Sequence, residues 1–67
     1  MRNDPFPVDV RVLAATGVAL LVTDGRTEAW IPKSQIRSGS SIGASSERGE
    51  EGTLVIPEWL AAARGLS

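Results

Sequence analysis

Asp24-Gly25 separates two apolar runs, VALLVT (18–23) and RTEAWI (26–31), and this arrangement constrains the chain more than any other stretch. Asp-Gly between such runs signals a hairpin, because a type I′ turn needs positive φ at both central positions. A two-residue loop at 24–25 pairs Thr23 with Arg26, Leu21 with Glu28, Ala19 with Trp30 and Val18 with Ile31. Sliding the loop on by one residue leaves every side chain on the same face; only an odd-length loop flips the assignment. One face then carries Val18, Leu20, Val22, Ala29 and Ile31 and is the expected core. The opposite face holds Ala19, Leu21, Arg26, Glu28 and Trp30 and is mixed.

Other segments fall around this hairpin. VDVRVL (8–13) alternates apolar and polar residues, the period of a half-buried strand, with Val8, Val10 and Val12 pointing one way. Residues 1–7 read as an extended lead-in, since Pro5 and Pro7 bias their predecessors away from helix. TLVI (53–56) is a last strand. IPKSQI and IPEWLA echo one another, each ending a strand with Ile-Pro and placing proline at the first position of a helical stretch. The first such stretch is about one turn. The second is a helix over 57–64, with Glu58 and Arg64 placed favourably for its dipole, Gly65 as a left-handed cap and Leu66 folding back on Leu60. Between them, 37–52 is rich in Ser, Gly and charge, with Ile42 its sole sizeable apolar side chain, and is expected to be a flexible loop.

The predicted class is mainly β (α+β): a four- to five-stranded antiparallel sheet or an SH3-like barrel, with one C-terminal helix. Short strands and the single turn after Ile31-Pro32 tilt this reading toward the barrel. A chain of 67 residues makes one domain near the lower limit of independent stability. Without cysteine or histidine it has neither disulfides nor the usual zinc ligands, so self-association as a homodimer is the device left open. No run suits a signal peptide core or a membrane span, which leads to the expectation of a cytoplasmic protein with no membrane partner.

Most reaction types lack their residue inventory. Serine nucleophiles need a base, usually histidine, and there is none. Lys33 and Ser34 are adjacent, and neighbours in a helix do not face each other. Glu47, Glu50 and Glu51 lack the spacing of a calcium loop, and the glycines lack the lysine of a phosphate-binding loop. The expectation is no catalytic residue, no metal and no cofactor. Seven basic against eight acidic side chains, a net charge of −1, give no general drive toward phosphate backbones.

Binding is the remaining class. Trp30 on the mixed face, beside Leu21 and with Arg26, Glu28, Lys33, Gln35 and Arg37 nearby in sequence, has the composition of an interface hot spot. Two placements are open for it: covered by Trp59 or Leu60 of the helix, or exposed for contact. Trp59 itself is expected in the core.

The pattern GVALLVTDGRTEAWIPKSQI, a polar spacer, then EGTLVIPEWLAAARGL resembles a group of small phage and prophage proteins of uncharacterised function. The resemblance spans residues 17–66 and implies a phage context, in which proteins of this size, anti-CRISPR proteins among them, act as accessory factors or inhibitors of host defence. It assigns no site residues. The expectation is thus a non-catalytic module that binds a larger host or phage protein. A small barrel binding single-stranded nucleic acid through Trp30, Arg11, Arg26, Lys33 and Arg37, or a nucleotide-binding homo-oligomer, are the rivals.

Overall fold

The computed structural model describes residues 3–66, which form one antiparallel sheet and one helix. The strands are β1 (Pro5–Ala15), β2 (Ala19–Thr23), β3 (Glu28–Pro32) and β4 (Glu51–Pro57). A 3₁₀ turn at Lys33–Gln35 follows β3, and helix α1 (Glu58–Arg64) closes the chain.

The strand order is β3-β2-β1-β4, so β3 and β4 are the two edges and the sheet is open. Of the two expected architectures the sheet forms and the barrel does not. The reason lies in the segment after the 3₁₀ turn, which reaches the outer edge of β4 and occupies it. Arg37 N–H donates to Val55 O at 2.8 Å and Ser41 N–H to Thr53 O at 2.9 Å. No position is then left on β4 for β3 to close against.

β1 starts earlier than the alternation 8–13 suggests, taking in part of the expected lead-in; Met1 and Arg2 of that lead-in lie outside the described residues. Two prolines in a central strand need a reason. β2 pairs only with Arg11 to Ala15, while Pro5 and Pro7 face β4 alone. Val12 N–H donates to Glu50 O, which sets the even residues of β1 as those bonded toward β4. The prolines therefore occupy positions whose missing N–H would point away from any ladder.

The hairpin keeps the predicted faces and takes the second of the two registers considered, that of a loop moved on by one residue. Thr23 pairs with Glu28, Leu21 with Trp30 and Ala19 with Pro32, so the loop is Asp24 to Thr27 rather than two residues. Asp24 itself widens it: its Oδ1 accepts from the N–H of Arg26 at 2.9 Å and of Thr27 at 3.0 Å. Gly25 takes the one positive φ of this loop, +97°. An even-length loop preserves alternation, and Leu20, Val22, Ala29 and Ile31 are all buried.

Val18 breaks the expectation for that face, being 77% exposed. Thr16 Oγ1 accepts from the N–H of Val18 and of Ala19, which makes 16–19 a tight turn, and the strand alternation starts only at Ala19.

The core lies between one sheet face and α1. Val8, Val10 and Val12 of β1, Leu54 and Ile56 of β4 and the buried residues of β2 and β3 meet Leu60, Ala61 and Leu66. Gly65 has φ +73°, and Leu66 N–H donates to Ala61 O while Gly65 N–H donates to Ala62 O, the paired bonds of a Schellman cap. Pro57 and Pro32 each sit one position earlier than expected, in extended conformation immediately before the helical residues. Trp59 borders the core, half-buried, its Nε1–H donating to Asn3 Oδ1 at 3.2 Å.

The loop between the 3₁₀ turn and β4 is tied down. Ile42 is 1% exposed within the core cluster, and Ser40 and Ser41 offer their Oγ atoms to the N–H groups of Val55 and Thr53, each at 2.8 Å. Gly52 permits this approach: a Cβ there would lie 2.3 Å from Ser41 Oγ and 3.3 Å from Ile42 side-chain carbons. β4 begins at Glu51, so the last two residues of the expected loop are strand.

Candidate binding surface

The sheet face away from α1 divides into two halves of different character. Over β1 and β4 its side chains are paired across strands. Arg11 Nε–H donates to Glu51 Oε2 at 3.0 Å, and Thr53 Oγ1–H to Asp9 Oδ1 at 3.2 Å. Arg11, Asp9, Thr53 and Glu51, with Asp24 and Thr23, line an open hollow of about 600 Å³. Its cation is neutralised by a partner, and Asp24 is engaged in its own turn.

Over β2 and β3 the face is apolar toward Pro32, with Ala19, Leu21, Trp30 and Pro32, and polar toward the hairpin loop, with Thr23 and Glu28. Trp30 stands directly opposite Leu21 in the β2–β3 register, at a position where cross-strand side chains approach closely. Trp30 is 46% exposed; α1 packs on the other face, so the placement beneath the helix is not the one adopted. Trp30 and Val18 are the large hydrophobic residues left exposed among the described residues. With Ala19, Pro32, Lys33 and Arg64 they line a shallow depression of about 540 Å³. No acidic side chain lines it, and neither Lys33 nor Arg64 makes an ion pair among the described residues. Exposed apolar area rimmed by unpaired cations is costly to leave in water and marks a place where contact with another molecule is favourable.

The residues singled out in sequence are distributed around this depression unevenly. Trp30 and Lys33 line it, and Leu21, half-buried, supports Trp30 from the neighbouring strand. Glu28 is exposed at the start of β3, two residues before Trp30 on the same face. Arg26 is exposed in the hairpin loop. Gln35 and Arg37 do not line it: Arg37 Nη2–H donates to Gln35 Oε1 at 3.5 Å, and the Arg37 backbone is carried to β4. Nor do Arg11 and Arg26 join Lys33 there, so the basic groove required of a strand-binding barrel is not assembled from the predicted five residues.

Sequence reading missed Val18, Pro32 and Arg64. For Val18 a signal existed: Thr16-Gly17 before it is a turn pair whose hydroxyl can cap the next two amides. Arg64 gave none beyond its place in the last turn of α1. Only the tertiary packing brings it to β3, where its Nε–H donates to Trp30 O at 3.3 Å.

The fold and this surface define, over the described residues, a small open-sheet domain with one helix and an uncovered apolar depression. No protein-family model, curated protein or solved structure matches the chain. No helix among the described residues is long and apolar enough to cross a membrane.

Proposed function

We propose that the protein is a non-catalytic binding module that acts by occupying a surface on a larger protein. The observation that carries this reading is the exposure of Trp30 beside Val18, in a domain whose other large apolar side chains are buried or half-buried among the described residues. Tryptophan flanked by arginine is the composition of an interface hot spot, whose truncation typically costs binding ~2 kcal/mol or more. The resemblance to phage proteins supports a role in the bacterial cytoplasm as an accessory factor or as an inhibitor of a host defence or nuclease complex, in the manner of anti-CRISPR proteins.

Single-stranded nucleic acid is the rival for the same surface, because an aromatic platform with cations beside it also suits stacked bases. The paired state of Arg11 and the net charge of −1 favour protein. The test is capture from bacterial lysate by the native chain and by Trp30→Ser, with binding of a ten-nucleotide oligothymidine followed as salt is raised. A protein partner held by the native chain and lost with Trp30→Ser is the expected result. Absence of any protein partner, or tight oligonucleotide binding that collapses as salt rises, rejects the proposal.

A further inference from the structure

The edge of β3 differs from that of β4 in its backbone. Lys33 N–H donates to Val18 O at 2.8 Å, which continues the β2–β3 ladder and fixes its phase. In an antiparallel pair, residues alternate between bonded and non-bonded positions. Ile31 and Ala29 therefore bond toward β2, while the peptide groups of Glu28 and Trp30 point outward from the sheet. The Arg64 contact to Trp30 O agrees with that direction. Among the described residues Trp30 N–H has no hydrogen-bond partner. Pro32 has no N–H, so the outward donors of this edge are those of Glu28 and Trp30.

We propose that the β3 edge accepts an extended acidic segment of a partner protein as a fifth strand. This rests on the binding-module reading and adds to it how the partner is held and what chemistry it carries. An added strand would bond to the outward groups of Glu28 and Trp30 and alternate its side chains between the two sheet faces. On the outer face, one apolar side chain of the segment enters the Trp30–Val18 depression. At the Pro32 end, Lys33 and Arg64 form an unpaired positive rim that selects carboxylates, while Glu28 at the other end disfavours them. The recognised segment is thus polarised: acidic where it meets Pro32, neutral or basic where it meets Glu28. Arg64 guards the edge in the free protein by satisfying Trp30 O; the incoming strand's N–H replaces it, and the guanidinium turns to a carboxylate of the segment.

The probes are the peptide Lys-Thr-Val-Thr-Leu-Glu-Asp, its reversed order, and versions with lysine replacing both acids, each titrated into the isotopically labelled full chain. Amide exchange is followed residue by residue. One of the two acidic orders should slow exchange of the Glu28 and Trp30 amides by about tenfold or more at saturation. Its lysine version should bind about tenfold more weakly, and Lys33→Glu and Arg64→Gln should each weaken the acidic peptide severalfold, with a cooperative urea transition showing that each variant is folded. Binding that perturbs the Trp30 indole without protecting these amides overturns the added strand and leaves the binding module standing. Protection that grows with protein concentration and no peptide makes a second copy the occupant and overturns the peptide. Preference for the oligothymidine overturns both. Failure of every peptide at millimolar concentration overturns this inference alone, since Trp30-dependent capture from lysate decides the module separately.

Discussion

β4 and β3 are the two edges of one sheet, and the chain finishes them in opposite ways. Along β4, the loop after the 3₁₀ turn supplies backbone N–H groups to the outward carbonyls and serine oxygens to the outward amides, and drops Ile42 into the core to hold itself there. Along β3 nothing of comparable extent is laid down; one arginine meets one carbonyl, and the side chains beside it are a half-exposed tryptophan and an exposed valine. An uncovered edge invites pairing with other chains, which is why most proteins blunt theirs. A chain of 67 residues that commits a long loop to covering one edge and leaves the other with apolar side chains beside it has a built-in asymmetry of access.

The comparison breaks most easily at Ile42. Its replacement by alanine should cost about 2–4 kcal/mol, as truncations of buried Ile generally do, and should release the loop from β4. In a domain of this size that is a large share of total stability, so a urea titration should show the midpoint fall sharply. Gly52→Ala attacks the same edge from the strand side by forcing Ser41 Oγ away; about 1–3 kcal/mol of destabilisation is expected from overpacking against Ile42. Ser40→Ala removes the acceptor of the Val55 amide and should cost about 1 kcal/mol.

At the other edge the same assay should register little. Val18→Ser and Trp30→Ser are expected to shift stability by less than about 1 kcal/mol, because neither side chain is in the buried cluster. Their effect should appear in partner capture. Smallest of all is Arg11→Gln, which removes an exposed ion pair and should change unfolding by no more than about 0.5 kcal/mol. A large loss of stability from Trp30→Ser would show that the tryptophan serves the fold.

Alternation and parity were legible in the sequence. The faces of β2 and β3 are the same in either expected register, because the real loop, like the expected ones, has even length. The Gly65 cap and the buried Leu66 likewise follow from local signals. What was not legible depended on side chains acting on distant backbone. Asp24 lengthens its own turn, Thr16 ends an alternation at Val18, and two serines in a polar loop become strand partners for β4. The two Ile-Pro corners make the same point. Pro32 and Pro57 have nearly the same backbone, φ −61° and ψ 132° against φ −59° and ψ 141°. Good helix formers through Arg64 extend the second into α1, whereas Ile36, packed against the core, returns the first to extended chain. The site was half visible: Trp30, Leu21 and Lys33 by composition, Arg64 only through the fold.

Asymmetry between the edges is measured most directly by amide hydrogen exchange in the free chain at native pH, comparing Val55 with Trp30. Val55 N–H, bonded to Ser40 and shielded by the loop, should exchange about a hundredfold or more slower than Trp30 N–H, which should exchange near the rate of an open chain. Equal protection of the two amides would mean that β3 is already covered, and the proposed surface would not exist.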